Sequence, residues 1–206
     1  MNKNHLKILK NLAESRNYGQ GPAHALQVSK LSLRIYDELV GLKILKNNSE
    51  DRVILEAAAV LHDIGHPQEP HHEVGFDFLA KEIPRLTANA PISNAALSTL
   101  LISVLWHNER SYLQRGSIEI LDRNHAEKIA AIIRVADGLD MIAQPAIENI
   151  VLSIEDRRLH IEVISRHSVD LQMEQAKSKS DLMKSAFSLQ DIIFDHSEKP
   201  TTAKWR

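Results

Sequence analysis

The hexapeptide LHDIGH at residues 61–66 constrains the fold of this 206-residue chain more than any other stretch. It follows residues 53–61, which are apolar on every helical face except for one glutamate. A helix that is hydrophobic all round is buried by neighbours on several sides. Gly65 then suits the left-handed position that closes a helix. His62 and Asp63 are therefore expected at the end of a buried helix, where polar groups need partners.

His62 and Asp63 allow two interpretations. The C-terminal end of a helix carries partial negative charge and favours a cation, so both residues are candidate metal ligands. Alternatively, His62 caps the last carbonyl groups of the helix while Asp63 points into solvent. The hexapeptide alone does not decide between a metal site and a simple cap.

The composition is that of an ordinary soluble globular protein, with 43% hydrophobic and 25% charged residues. Its apolar runs are shorter than the ~20 residues that a membrane span requires, and its first residues do not resemble a secretory signal. The absence of cysteine excludes disulfides, thiolate zinc sites and cysteine nucleophiles. A net charge of −2 argues against extended nucleic-acid binding. We therefore expect a cytoplasmic protein that does not associate with membranes.

Helical periodicity places three further histidines on inward faces. His24 begins the stripe of its helix, His72 lies on the same side as nearby apolar residues, and His107 continues a leucine-rich stripe. A single histidine at such a position is more often a core residue than a metal ligand. Each of the three is therefore ambiguous when taken alone.

An aspartate also falls on an inward helical face. Spacings of three and four from Ala130 through Ile133 lead to Asp137, and an inward aspartate is unusual unless it is paired or ligating. Asp137 can instead cap the bend at Gly138, and Asp140 can equally be the inward carboxylate. Periodicity does not choose among these alternatives.

The pattern changes after residue 145. Two alternating apolar stretches flank a charged turn at residues 155–158 and predict a hairpin. Two short helices are predicted at residues 169–177 and 180–189. The expected fold class is mainly α: a helical bundle over residues 1–145, a small C-terminal α+β appendage (hairpin plus two helices) over residues 146–195, and a frayed tail over residues 196–206.

Inward histidines and carboxylates on facing helices are the way in which helical bundles build metal sites. Nitrogen and oxygen ligands without sulfur suit manganese, iron, nickel, cobalt or zinc better than calcium or magnesium. The candidate ligands are His24, His62, Asp63, His72, His107 and Asp137.

The order His, His-Asp, Asp resembles the HD-domain superfamily of metal-dependent phosphohydrolases. The resemblance includes AAAVL before the His-Asp pair, IG after it, and RVADGLD at residues 134–140. Over residues 15–190, PAH, HH, WHN and the hairpin resemble most closely the C-terminal HD domain of the exopolyphosphatase and guanosine pentaphosphate phosphohydrolase family. That family's polyphosphate chemistry lies in actin-like domains that this chain lacks, so the resemblance does not imply exopolyphosphatase activity.

The resemblance implies one or two divalent metal ions. His24, His62, Asp63 and Asp137 would hold the first ion, and Asp63 would bridge to a second ion held by His72 and His107. His71 and His66 are alternatives to His72 at the second ion, although a solvent-exposed loop is the favoured position for both.

The function implied is hydrolysis of a small phosphoester, with a nucleotide or an alarmone as the leading substrate class. Two metal ions about 3.5–4 Å apart can generate hydroxide at neutral pH and stabilise the phosphoryl group. Candidate supporting cations are Arg110, Lys128 and Arg134, and His66 or His71 can protonate the leaving group. An alarmone is disfavoured because GHP at residues 65–67 replaces the Glu-Asp pair of alarmone hydrolases.

Two rival functions stay open. The chain can be a non-catalytic regulatory module that binds metal or nucleotide, or a structural partner domain whose histidines stabilise the fold. The oligomeric state also stays open, with a homodimer among the states considered.

Overall fold

The computed structural model describes residues 1–108, 122–140 and 147–198. These residues form eight helices and a three-stranded sheet, so the expected mainly α bundle with a small C-terminal α+β appendage is confirmed. The helices are α1 (Lys3–Ser15), α2 (Pro22–Gly41), α3 (Ser49–Leu61), α4 (His71–Leu86), α5 (Asn94–Trp106), α6 (Arg123–Leu139), α7 (Asp170–Ser178) and α8 (Asp181–Ala186). The strands are β1 (Ile147–Glu155), β2 (Arg158–Ser165) and β3 (Asp191–Glu198).

Helix α3 lies at the centre of the bundle and packs against α1, α2, α5 and α6. This surrounding explains why its sequence is apolar on nearly every face. The helices that end at the site begin with side-chain caps: Asn48 accepts a hydrogen bond from the Glu50 amide, and Ser93 accepts one from the Ala96 amide. None of the described helices combines the length and the apolar character that a bilayer crossing demands.

Gly65 does not adopt the left-handed conformation that the sequence predicted. It is required because the chain packs closely there: a Cβ atom at Gly65 would lie 2.0 Å from the carbonyl oxygen of His71 and 2.7 Å from the amide nitrogen of Gly75. The turn after α3 therefore lies directly against the first turns of α4. This contact brings the residues that follow Asp63 next to His71.

The predicted hairpin is present, with β1 and β2 antiparallel and Glu155 paired with Arg158. The third strand, β3, was not predicted. It pairs parallel to β2 after the α7–α8 crossover, and it extends to Glu198, so residues 196–198 belong to the sheet rather than to a frayed tail. Residues 199–206 lie outside the described residues, as does the predicted domain boundary at residue 145.

The appendage packs on the bundle through α2 and α6. Three groups of α2 bond to the main chain of β1: the Gln27 amide donates to the Ile147 carbonyl oxygen, Arg34 donates to the Ile150 carbonyl oxygen, and Glu38 accepts from the Leu152 amide, over distances of 2.8–2.9 Å. These contacts cover a sheet edge that would otherwise be open. Helix α7 packs against α6.

Candidate metal centre

The buried carboxylate of Asp63 lies within 3.5 Å of four imidazole Nε2 atoms in the described part of the chain. Its Oδ2 atom is 3.3 Å from Nε2 of His62 and 3.5 Å from Nε2 of His24. Its Oδ1 atom is 3.4 Å from Nε2 of His71 and 3.5 Å from Nε2 of His107. The two oxygens of one carboxylate therefore face two different pairs of histidines.

These side chains form two donor groups on either side of Asp63. In the first donor group, Nε2 of His24 and Nε2 of His62 are 3.2 Å apart, and Oδ1 of Asp137 is 3.3 Å from the His24 atom. In the second donor group, Nε2 of His71 and Nε2 of His107 are 3.1 Å apart. Ligands bonded to one ion at about 2.0–2.1 Å lie roughly 3.0–3.4 Å from each other, so the spacing in both groups fits a shared ion.

His62 and His107 are oriented by the helices that they follow. The Nδ1 atom of His62 is 2.7 Å from the Ala59 carbonyl oxygen at the end of α3, and Nδ1 of His107 is 2.6 Å from the Val104 carbonyl oxygen at the end of α5. Because a carbonyl oxygen only accepts, Nδ1 is the donor in both rings, and Nε2 is the ring atom that faces Asp63 and can bind a metal once it is deprotonated. His62 therefore caps a helix carbonyl and faces the candidate metal position at the same time.

Both carboxylates near the end of α6 turn inward, in different roles. Asp137 belongs to the first donor group, whereas Oδ2 of the buried Asp140 is 2.9 Å from Nδ1 of His24. The carboxylate accepts this hydrogen bond, so His24 presents Nε2 to the donor group. Asp140 is thus a positioning residue for His24.

The surrounding histidines favour ionised carboxylates. Burial alone would raise the pKa of Asp63, but the neighbouring imidazoles of His62 and His107 outweigh it and hold that pKa well below its usual range. The pKa of Asp137 is also lowered, because the nearby His24 outweighs the effect of burial. Both groups are therefore anionic ligands at neutral pH.

The histidines differ among themselves. Burial opposes protonation of His24, but Asp137 and Asp140 outweigh it and raise the pKa of His24 to about 10. Burial dominates at His107 and lowers its pKa to about 4. A cation that binds the first donor group must therefore displace a proton from His24, whereas His107 is already neutral.

One polar atom of the site is left without a hydrogen bond. Oδ2 of Asp63 is buried and has no hydrogen-bond partner within the described part of the chain. A buried acceptor in this state is costly, and a metal ion between Asp63 and the first donor group would satisfy it. The donor set and this atom both fit a divalent ion.

His71, rather than His72, faces Asp63. Consecutive residues of a helix point about 100° apart, so only one of the two rings can reach the carboxylate. His72 is buried, as its periodicity with Phe76 predicted, but it belongs to none of the metal-capable groups found among the described residues. Periodicity identified His72 as the side chain that packs into the core. The site instead faces the N-terminal end of α4, where His71 is the first residue.

His66 lies beside His71 rather than in open solvent. Its ring stacks on that of His71, with centroids 4.1 Å apart, and its Nε2 is 3.7 Å from Oδ1 of Asp63. Asp63, His66 and His71 form a further group that could hold an ion. Burial lowers the pKa of His66.

Arg134 does not supply a free cation to the site, because its guanidinium group is engaged elsewhere. It donates hydrogen bonds to the main-chain oxygens of Trp106, Asn108 and Lys179 and to the carboxylate of Asp181. Arg134 therefore joins the end of α5 to the turn between α7 and α8.

Lys128 does not line the site either. The ammonium group of Lys128 lies 5.9 Å from the centre of the Phe187 ring, away from the residues that face Asp63. Arg110 lies outside the described residues. Lys128 therefore makes no described contact with the candidate metal centre.

Sequence reasoning missed Lys179, whose ammonium group lies 2.5 Å from Oδ2 of Asp137. It borders a pocket of about 160 Å³ over the donor groups, lined by Gln20, His24, Asp63, His71, His107, Asn108, Asp137, Gln175 and Lys179. Lys179 follows a short helix and is 42 residues from Asp137. No periodicity or motif connects these two positions, so only the folded chain reveals the contact.

Gly19 places Gln20 at the rim of this pocket. Its φ angle of +76° is left-handed, and a Cβ atom there would lie 1.9 Å from the carbonyl oxygen of Asp63. The loop before α2 is therefore pressed against the main chain of Asp63. In the sequence, the two glycines that flank Gln20 indicate a turn. They do not indicate that this turn contacts Asp63.

A family model described as the HD domain matches residues 23–142. The matched span includes both donor groups and Asp140, whereas Gln175 and Lys179 lie outside it. No curated protein matches the chain.

Proposed function

The chain belongs to the HD domain family, whose model covers more than half of it, and from this premise we propose that the protein is a metal-dependent phosphohydrolase. HD domains are in general metal-dependent phosphohydrolases. The observation that carries the proposal is the division of the Asp63 carboxylate, with one oxygen toward each donor group.

We propose that the first donor group and Asp63 hold one ion, and that Asp63 and the second donor group hold another. The nitrogen and oxygen donors suit manganese, iron, nickel, cobalt or zinc. When bound, such ions supply an activated water and neutralise charge on a phosphoryl group. The chain's own contribution is to orient the histidine rings, through the Ala59 and Val104 carbonyls and through Asp140.

The proposed substrate is a small phosphoester, with nucleotides as the leading class. The pocket over the donor groups, about 160 Å³, is smaller than the roughly 300–1,000 Å³ of sites that enclose a whole drug-sized ligand. A phosphoryl group fits inside it, and the rest of a nucleotide would lie at the surface. We also propose that the chain is related to the HD domain of the exopolyphosphatase family. This relationship does not imply that the chain hydrolyses polyphosphate.

We propose that His66 gives a proton to the leaving group. His71 faces Asp63 and belongs to the second donor group, whereas the ring of His66 lies on its outer side. An imidazole can gain and lose a proton near neutral pH, as this step requires. Gln20, whose amide nitrogen is 3.1 Å from Nε2 of His66, holds this ring in place.

The test is metal analysis followed by phosphate release from a panel of nucleotides and other phosphoesters. We expect the protein purified without chelator to retain divalent metal and to hydrolyse members of the panel, and we expect Asp63→Asn to retain less metal and to show little hydrolysis. A protein that binds metal and nucleotides but releases no phosphate would support the non-catalytic regulatory module instead. A protein that neither retains nor takes up metal, and that binds no nucleotide, would exclude both functions.

A further inference from the structure

The carboxylate of Asp137 makes contacts in two directions. Its Oδ1 atom faces Nε2 of His24 and Nε2 of His62, whereas its Oδ2 atom contacts the ammonium group of Lys179. An ion bound through Oδ1 therefore does not require Lys179 to leave. Lys179 thus lies beside the proposed metal position without competing for the same oxygen.

Contacts on two sides hold the main chain around Lys179 in position. Arg134 donates to the Lys179 carbonyl oxygen at 3.2 Å and to the Asn108 carbonyl oxygen at 2.7 Å. Gly138 admits α7 so closely that a Cβ atom there would lie 2.6 Å from the Cα atom of Ala176. The appendage is therefore seated firmly enough to fix where the lysine side chain emerges.

The pocket around Lys179 offers hydrogen-bond donors to an anion, beside two carboxylates, Asp63 and Asp137, whose charge the proposed metal ions would offset. Lys179 is the only lysine or arginine among its lining residues in the described ranges, and its side chain is 18% exposed, enough to reach a ligand. Gln20, Asn108 and Gln175 also border the pocket and can donate hydrogen bonds through their amides. An ammonium group carries three donors, so contact with Asp137 leaves two for phosphoryl oxygens.

We propose that Lys179 binds a non-bridging oxygen of the substrate's phosphoryl group, so that the C-terminal appendage completes a site whose metal donors all come from the helical bundle. This inference rests on the proposed phosphohydrolase function. It also explains why the cation needed beside the metals is found outside the part of the chain that matches the HD domain.

The test is a calorimetric titration of manganese-loaded protein with inorganic phosphate. We expect Lys179→Gln to weaken phosphate binding by about 10- to 100-fold, as the loss of a charged hydrogen bond does. Lys179→Arg should restore a large part of the affinity. Lys177→Gln is the matched control, because Lys177 is exposed at the end of the same helix, and it should bind phosphate as the wild type does.

Metal content and thermal unfolding separate substrate binding from a structural role. Unchanged manganese content in Lys179→Gln, together with weaker phosphate binding and an increased KM for the best panel substrate, supports the assignment. Equal phosphate affinity in the wild type and Lys179→Gln, absence of phosphate binding by the wild type, or loss of manganese from the variant overturns it. Lysine-dependent phosphate binding without hydrolysis would reject the proposed function alone.

Discussion

His24 and Asp140 are joined by a buried hydrogen bond of 2.9 Å between Nδ1 and Oδ2. The bond sets the orientation of the ring and leaves Nε2 facing Asp63 and Asp137. The same result is reached at His62 by a different acceptor, the carbonyl oxygen of Ala59. These hydrogen bonds fix the orientation of the donor rings, which reduces the reorganisation that binding an ion requires.

Substitution of Asp140 tests this positioning role. Asp140→Asn keeps the size of the side chain but removes the charge that the His24 ring faces, and such changes typically cost about 10- to 100-fold in metal affinity or activity. We expect weaker manganese binding by calorimetry with an unchanged helical circular dichroism spectrum. Wild-type affinity in the variant would show that Asp140 does not position a ligand.

Asp63 should be more sensitive than Asp140, because its carboxylate faces both donor groups. Asp63→Asn removes the charge that both ions would share, so we expect metal content to fall and phosphate release to drop more than in Asp140→Asn. Folding should survive, because α3 is buried by apolar residues. Elemental analysis and phosphate release provide the measurements. Hydrolysis by Asp63→Asn at the wild-type rate would show that Asp63 is not a metal ligand.

The adjacent histidines of α4 offer an internal comparison. His71→Gln should lower the number of bound ions or their affinity at the second donor group, because Nε2 of His71 faces Asp63. His72→Gln should keep the wild-type metal stoichiometry, although it can lower thermal stability because His72 is buried. The reverse pattern in elemental analysis would restore His72 as the ligand.

Gly138 controls the approach of the appendage to α6. Gly138→Ala places a methyl group against the Ala176 main chain, so α7 must shift; we expect a stability loss of about 1–3 kcal/mol and weaker phosphate binding. Gly41→Ala is the control, since nothing lies within 4 Å of its Cβ position. Urea unfolding and the phosphate titration measure both effects, and equal behaviour of the two variants would contradict the close contact.

The ion pair between His125 and Asp51 should make stability depend on pH. Nε2 of His125 is 3.3 Å from Oδ1 of Asp51, and this hydrogen bond raises the pKa of His125 above its ordinary value. Because the folded pKa exceeds the unfolded one, the stabilisation is complete below about pH 6.5 and is lost as the pH rises through the folded pKa.

Urea unfolding of the wild type and His125→Gln over pH 5.5–9 checks this prediction. Glutamine cannot gain the charge, so the stability difference between the two proteins should be largest at the acidic end and should shrink as the pH rises. A difference that is constant with pH, or that grows toward alkaline pH, would show that the ion pair does not act as described.

Much of the architecture could be predicted because it depends on local periodicity. An apolar pattern around α3 indicated a central buried helix, and spacings of three and four placed His24 and Asp137 on inward faces. Strand β3 was not predicted because it pairs in parallel with β2 after a crossover, and neighbouring residues do not indicate such a partner.

Helical periodicity predicts which side chains are buried. It does not predict which of them reach a residue on another helix, such as Asp63, and this limits what could be predicted of the site. It indicated His72 correctly as buried but could not show that His71 reaches Asp63. It also could not show that Gly65 is needed for contact with α4 rather than for its own backbone conformation. Both facts depend on how two helix ends meet.

The metal donors and Lys179 come from different parts of the chain, which meet where the appendage packs on α6. All members of both donor groups precede residue 141, whereas Lys179 comes after the hairpin, on the other side of the contact between Gly138 and Ala176. If Lys179 binds the phosphoryl group, then the side chains that bind metal and the side chain that binds the phosphoryl group lie in different segments of the chain. A change in α7 or in the turn after it would therefore alter phosphoryl binding while every metal donor stays in place.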